Sequence, residues 1–329
     1  MADKKLVIFT EAGDGIGYGH LMRCLAIAES FRNQNWEVSF HLYLVGEMIP
    51  IDFNVLIYNW HENVNISDKS DFQIALIDSY LASKNIYKSI TSIIPFTCAV
   101  DDYNRLPYPV SLVLNPGLTA EKIDYSCQEA PIIEGKNYVL LRKEICLADH
   151  SKQAVHRDIQ TITITVGGSD VHRILPLLGK IVSEELPMAS IRIILPDTEQ
   201  AEELRTNLPN VKVYGRQSAD EIIYLFQSSD LVISACGQTL HELAYLGTPF
   251  IGILTGDDQR NNQLYYHEAR VILEEIQYSD LTFADKIRKQ IQVLRNQETR
   301  RLLMIKLPEL ITGKGASNVR DALIRLARV

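Results

Sequence analysis

The stretch LVIFTEAGDGIGYGH, residues 6–20, decides the fold class of this 329-residue chain. It opens with a short apolar run that predicts a buried β-strand, and the glycines that follow predict a turn. A helix is predicted to begin near His20. In a strand, glycine-rich turn and helix of this kind, backbone N–H groups and the helix dipole are able to bind an anion. The stretch therefore predicts an α/β fold with an anion site after the first strand.

The same alternation continues along the chain, because short Val-, Ile- and Leu-rich runs are separated by amphipathic helices. Runs that are apolar throughout are typical of parallel strands buried on both faces. The predicted strands are 5–10, 37–44, 54–58, 73–78, 97–101, 111–114, 138–141, 161–166, 191–195, 211–214, 231–234 and 250–254. A polar segment at 146–158 then predicts two α/β domains, 1–146 and 158–312. Residues 313–329 are predicted to form a C-terminal docking helix.

Composition excludes several classes of protein. Asp and Glu outnumber Lys and Arg by 41 to 33, giving a net charge of −8, so we expect no nucleic-acid partner and an anion site built only from local geometry. Five cysteines without a CxxC pair favour a reducing cytosol over a zinc or disulfide framework. No signal peptide or membrane-length apolar run is evident, so a cytoplasmic protein without stable membrane insertion is expected. The oligomeric state is left open.

The first glycine-rich loop lacks the usual nucleotide signatures. Counted from Gly13 or Gly15, the sixth position is Tyr18 or His20, so GxGxxG fails, and GK[ST] is missing. His20 at a helix N-terminus is a candidate general base, or alternatively a surface or capping histidine. Arg23 lies one turn further on, where it either braces the loop or faces solvent.

A second candidate motif, ACGQTLHELAYLGTPFIGI, follows the predicted strand 231–234. Thr239 and Glu242 fit the S/T-x-x-E capping box. The functional alternative is a nucleotide diphosphate at this helix N-terminus, with Glu242 accepting hydrogen bonds from ribose hydroxyls. Ser218 and Glu221 repeat the capping pattern and have no functional interpretation.

Polar residues also follow other predicted strands, at the edge where open α/β sheets bind ligands. Gly167, Gly168, Ser169 and Asp170 come directly after one strand, and Asp78, Asp101 and Asp102 end two others. At least one of these acids is expected to cap a helix or to pair with Arg105. The polar loop 256–263 is predicted to line a cleft through Gln259.

Taken in order, these motifs resemble the GT-B nucleotide-sugar enzymes, and within them the UDP-sugar hydrolases of pseudaminic acid biosynthesis and their spore-coat-polysaccharide relatives. The resemblance covers nearly the whole chain. It rests on GIGYGHLMRCLAIAE, IDSY, VDDYNR, YVLLRKE, VGGSD, ISACGQTLHELAYLGTPFI, DDQRNNQ and GKGASNV.

The resemblance implies an enzyme with a cleft between two Rossmann-like domains, with neither metal nor cofactor. His20 would deprotonate the water that attacks the anomeric carbon of a UDP-sugar, and UDP would leave with inversion. The implied substrate-binding residues are Gly17, Gly19, Arg23, Asp78, Tyr80, Asp102, Gly168, Ser169, Gly237, Gln238, Thr239, Glu242, Gln259 and Asn262.

Two departures keep a second chemistry open. Ser79 stands where the hydrolase has a histidine, and ACGQTLHE resembles the glycosyltransferase version of the turn at least as closely. Hydrolysis is therefore the leading hypothesis, and transfer of the sugar to an acceptor on the same scaffold is the alternative. The segment 86–96 is predicted to be a helix running into a strand rather than an apolar membrane patch.

Overall fold

The computed structural model describes residues 4–66, 71–149, 155–167, 170–196, 198–208 and 210–329. The chain divides into two compact units. One combines Met1–Lys143 with Gly313–Val329, and the other is Glu144–Thr312. Each unit is an α/β domain built on one parallel sheet.

The first unit contains a seven-stranded sheet in the order β3-β2-β1-β4-β5-β6-β7. All neighbouring pairs are parallel. The chain winds outward from β1 in one direction and then from β4 in the other, so the strand order reverses between β1 and β4. Crevices at such reversal points are where open α/β sheets bind ligands. The strands are β1 Lys5–Gly13, β2 Glu37–Val45, β3 Asn54–Ile57, β4 Ile74–Asp78, β5 Phe96–Val100, β6 Leu112–Asn115 and β7 Ile132–Glu134.

Helices cover both faces of this sheet, and each face has its own hydrophobic core. On one face α1, Gly19–Arg32, packs beside α11, Gly315–Ala327, and Leu21, Val319 and Leu323 belong to one buried cluster. On the other face α2, Lys84–Ile93, buries Tyr87 and Ile90. The C-terminal helix is therefore part of the N-terminal unit.

The second unit contains a five-stranded parallel sheet in the order β10-β9-β8-β11-β12. Its strands are β8 Thr161–Thr165, β9 Ser190–Ile194, β10 Val211–Tyr214, β11 Leu231–Ala235 and β12 Phe250–Ile253. The remaining helices are α3 Lys143–Leu147, α4 Leu175–Glu185, α5 Thr198–Asn207, α6 Ala219–Gln227, α7 Thr239–Leu246, α8 Arg260–Glu268, α9 Phe283–Leu294 and α10 Gln297–Lys306. One-turn 3₁₀ helices lie at Ala120–Lys122, Lys136–Tyr138, Asp257–Gln259 and Leu307–Glu309.

The predicted strand 138–141 is wrong, and β7 was not predicted. Leu140 belongs to the same buried cluster as Val319 of α11, and Asn318 donates to the carbonyl of Asn137 at 2.7 Å. The run is apolar because it packs under the C-terminal helix, not because it pairs in the sheet. The segment 86–96 does run from α2 toward β5, as predicted.

Candidate active site

His20 and Asp78 form a buried imidazole–carboxylate pair at the carboxyl edge of the first sheet. His20 is the second residue of α1, Asp78 ends β4, and His20 Nδ1 lies 2.7 Å from Asp78 Oδ1. Asp78 is fully buried, and Thr10 of β1 stands opposite it. Burial raises the pKa of Asp78, but Arg23 and His20 outweigh it and hold that pKa well below its usual range. An ionised carboxylate only accepts, so Nδ1 carries a proton, and the neutral form of the ring has its lone pair on Nε2.

Arg23 braces this pair instead of facing solvent. Its guanidinium donates to Asp78 at 2.6 and 2.7 Å, and to Asp102 at 2.8 and 2.9 Å. Asp102 follows β5, so one arginine ties together the ends of two neighbouring strands. Bidentate bonds of this kind fix geometry as well as charge. Both oxygens of Asp78 are occupied, so the geometry favours an orienting role for Asp78 over direct contact with substrate.

Tyr80 packs directly against the imidazole of His20. Their rings meet edge to face with centroids 4.3 Å apart, and the Tyr80 hydroxyl donates to Asp102 at 2.5 Å. Burial, and then the negative charge of Asp102, raise the pKa of Tyr80 and keep the phenol protonated. Five of the predicted site residues, His20, Arg23, Asp78, Tyr80 and Asp102, thus lie together.

A second imidazole–carboxylate pair, Glu11 with His61, was not predicted. Glu11 lies near the end of β1 and is almost fully buried, and its Oε2 is 2.9 Å from His61 Nε2. The Tyr80 N–H donates to Glu11 Oε1 at 2.8 Å. The only signal in the sequence is an acidic residue inside an otherwise apolar strand.

Ser79, which stands where the hydrolases that the sequence resembles have a histidine, organises the turn after β4. Its hydroxyl donates to Glu11 and accepts the N–H groups of Leu81 and Ala82 at 3.0 and 2.9 Å. The hydroxyl proton is therefore committed to Glu11, which leaves Ser79 in a structural role.

Asp101, next to Asp102, is the acid that caps a turn. It accepts the backbone N–H groups of residues 103–105 and the hydroxyls of Tyr108 and Tyr125 at 2.6 and 2.7 Å. At least one of the acids at the strand ends is expected to cap a helix or to pair with Arg105; Asp101 caps this turn instead, and the guanidinium of Arg105 binds the carbonyls of Ser79 and Ala82.

The first glycine-rich loop is closed by its own backbone. The N–H groups of Gly13 and Gly17 donate to each other's carbonyls at 3.0 and 2.7 Å, which occupies the Gly17 N–H. Gly17 has a φ of +83°, a conformation that favours glycine. A Cβ built on Gly17 or Gly19 meets no described atom within 4 Å, so the backbone there is open to close approach.

In the second unit, the predicted capping box at α7 is wrong. Gln238, not Thr239, is the N-cap residue, its backbone is helical, and no side chain caps the helix. At α6, by contrast, both bonds of the Ser218–Glu221 capping box are formed. Glu242 is 4% exposed and lies on the first turn of α7. The turn before α7 is too helical at Gln238 for the box to close, which removes capping as the explanation of Glu242.

Three other predicted residues lie around this turn. Asn262 Nδ2 donates to the Cys236 carbonyl at 2.9 Å, and a Cβ on Gly237 would be 4.0 Å from Gln259 Nε2. Gln259 also accepts from Thr255 Oγ1 at 3.1 Å. The start of α7 and the loop after β12 therefore meet.

Gly168 and Ser169 lie outside the described residues. The last residue of their motif, Asp170, accepts the N–H groups of Ile174 and Leu175 at 3.0 and 2.7 Å and so supports the start of α4. Across the described ranges, no group of three or more His, Cys, Asp or Glu side chains is arranged to hold a metal ion. None of the described helices combines the length and apolar character that crossing a membrane requires. The cytoplasmic location stays a prediction.

Known proteins resemble both the second unit and the whole fold. Residues 161–316 match the model of the glycosyltransferase family 28 C-terminal domain. Acinetobacter baumannii MurG is 14% identical with a TM-score of 0.64, covering 98% of this chain and 99% of that one. Spinosyn rhamnosyltransferase SpnG, complexed with thymidine diphosphate, is 14% identical with a TM-score of 0.63, covering 97% and 99%. The fold is GT-B.

Among curated proteins, an uncharacterized protein of Methanocaldococcus jannaschii is 22% identical over 281 residues. The match covers 78% of this chain and 57% of that protein, so the chain spans little more than half the length of this relative. Within the GT-B chain, the family 28 match includes α7 and the loop carrying Gln259 and Asn262. It does not include His20 or Asp78, so the chemistry of the first unit is argued from its own geometry.

Proposed function

We propose that the protein hydrolyses a UDP-linked deoxy-amino sugar at the anomeric C–O bond, releasing UDP and the free sugar. The observation that carries this proposal is the His20–Asp78 pair. Asp78 fixes the tautomer of His20, and no described residue hydrogen-bonds to His20 Nε2. A neutral imidazole with one nitrogen anchored by a buried carboxylate is suited to general-base catalysis.

The reaction follows from that arrangement. His20 Nε2 takes a proton from water as the water oxygen bonds to the anomeric carbon, and the bond from that carbon to the diphosphate oxygen breaks. UDP departs with the bonding electrons, and the imidazolium is stabilised by Asp78. Arg23 and Tyr80 hold the pair in place, and inversion at the anomeric carbon is expected from attack opposite the leaving group.

The second unit is proposed to bind UDP, so that the predicted domains 1–146 and 158–312 supply the sugar side and the nucleotide side. Backbone N–H groups at the start of α7 and the helix dipole would stabilise the charge of the departing diphosphate. Glu242 would accept from the ribose hydroxyls. Support comes from the family 28 match over this unit and from the thymidine diphosphate complex of a protein of the same fold.

Transfer of the sugar to an acceptor is the second candidate function. The observation that favours it is the family 28 match together with the rhamnosyltransferase of the same fold. Transfer uses the same base, which would deprotonate an acceptor hydroxyl instead of water.

The deciding experiment incubates the protein with a panel of UDP- and TDP-sugars without acceptor, and detects nucleotide and free sugar by mass spectrometry. Hydrolysis predicts stoichiometric release of both products. His20→Gln is expected to abolish release and to leave the affinity for UDP unchanged, because the base and the nucleotide site lie in different units. If wild-type protein releases no nucleotide without an acceptor but releases it when an acceptor is added, transfer replaces hydrolysis.

A further inference from the structure

The Glu11–His61 pair has the same imidazole–carboxylate arrangement as the His20–Asp78 pair, and its carboxylate belongs to the neighbouring strand, β1. In each pair a nearly or fully buried carboxylate at the end of a strand contacts one nitrogen of an imidazole. Thr10 stands opposite Asp78, so Glu11 lies one residue past the partner of the first carboxylate. Both carboxylates lie at the carboxyl edge of the sheet, but successive side chains of a strand alternate, so Glu11 is on the face of Phe9 and Asp78 is on the opposite face.

Glu11 fixes the tautomer of His61. Burial raises the pKa of Glu11, but hydrogen bonds from His61, Ser79 and the Tyr80 N–H outweigh burial and leave the pKa below its usual value, so the carboxylate is ionised. An ionised carboxylate only accepts, so His61 Nε2 carries the proton. The neutral ring then has its lone pair on Nδ1, and no described residue hydrogen-bonds to that atom. The His61 side chain is 11% exposed.

Tyr80 links the two pairs physically. Its N–H donates to Glu11 at 2.8 Å, and its ring packs edge-on against His20 at 4.3 Å. The His61 ring also contacts two aromatic rings, with centroid distances of 4.8 Å to Tyr43 and 4.2 Å to Trp60. The orientation of Nδ1 is therefore fixed by packing as well as by Glu11.

We propose that His61 is a specificity-determining residue whose Nδ1 accepts a hydrogen bond from a hydroxyl or acetamido N–H on the glycosyl group of the substrate. The ligand must supply a hydrogen because Nδ1 has only a lone pair to offer. This inference rests on the proposed function, since it assigns to the sugar a contact at the same edge of the sheet as the base. No proton is transferred at His61, and UDP alone makes no contact with it.

Nitrogen NMR of ¹⁵N-histidine-labelled His20→Ala protein tests this directly, because that variant binds substrate without consuming it. UDP is titrated first, then UDP-N-acetylglucosamine and UDP-glucose, and His61 signals are assigned with His61→Gln. The Nδ1 resonance of His61 is expected to begin in the unprotonated range, to ignore UDP and to move toward the protonated range with a bound UDP-sugar. His41, buried beside Tyr58, is the internal control and should not move.

Kinetics of His61→Phe give a second readout, since phenylalanine keeps an aromatic ring in contact with Tyr43 and Trp60. KM for the UDP-sugar should rise about tenfold, or ~1.4 kcal/mol, while the inhibition constant of UDP stays constant. A His61 signal unmoved by a bound UDP-sugar, or equal changes in KM and the UDP inhibition constant, overturns the inference. Failure of wild-type protein to hydrolyse any sugar nucleotide sinks the proposed function, whereas the NMR result for a bound sugar still stands. If no UDP-sugar binds at all, both fail.

Discussion

Replacing Asp78 with asparagine isolates the orienting role of its carboxylate. The side chain keeps its shape and loses its charge, so His20 Nδ1 no longer faces an obligate acceptor 2.7 Å away. A hydrogen bond to a charged group contributes about 1.5–3 kcal/mol, and the upper end applies because Asp78 is fully buried. If ~3 kcal/mol of stabilisation is lost from the transition state, kcat falls by about 10²-fold. The same change in a serine protease triad costs about 10⁴-fold, which makes our figure a lower bound.

Asp102→Asn is the matched control. It also removes a carboxylate from Arg23, but Asp102 has no hydrogen bond to His20. We expect a tenfold loss or less for Asp102→Asn, with comparable losses of stability in the two variants. The assay is steady-state UDP release, with urea denaturation run alongside. Equal losses of kcat in both variants, or Asp78→Asn within threefold of wild type, would refute the orienting role.

Three further predictions concern stability. Ser218→Ala should lower the free energy of unfolding by about 1 kcal/mol in urea titrations, whereas Thr239→Ala, with no capping bond to lose, should stay within about 0.5 kcal/mol, and equal losses would contradict the cap assignment. Burial lowers the pKa of His241 to about 4, so between about pH 6.5 and 4 the unfolded chain binds a proton that the folded protein does not bind. The free energy of unfolding should therefore fall by up to about 1.4 kcal/mol per pH unit as the pH is lowered through that range. His241→Gln should flatten that slope. Gly315→Ala places a methyl 1.9 Å from a backbone carbonyl and should cost about 1–3 kcal/mol, whereas Gly215→Ala, open on its Cβ side, should cost little by thermal melting.

Hydrophobic runs made most of the fold readable from the sequence. Stretches such as 231–233 are apolar at every position, as expected of a strand covered on both faces. The run 138–141 has the same composition but is buried by α11, which lies about 180 residues further along the chain by the contact of Asn137 with Asn318. Local pattern does not distinguish burial in a sheet from burial under a distant helix.

The candidate site also has a part that the sequence predicts and a part that only the structure shows. His20, Asp78 and Asp102 stand at helix starts and strand ends, so topology alone predicts that they converge. The orientation of the Asp78 carboxylate toward His20 depends on Arg23, which bridges Asp78 and Asp102. No spacing of residues in the sequence predicts that bridge. His61 lies in a turn, and only the three-dimensional structure brings it to Glu11.

The C-terminal helix bears on the order in which the two units can complete their cores. The second unit is one continuous segment, Glu144–Thr312, whereas the first needs Gly313–Val329 to cover the apolar face of α1. During synthesis, the second unit can therefore close while the first still exposes the surface that Val319 and Leu323 will bury. A separately expressed 1–143 fragment would carry that surface uncovered. The first unit therefore completes its hydrophobic core only after Gly313–Val329 has been synthesised.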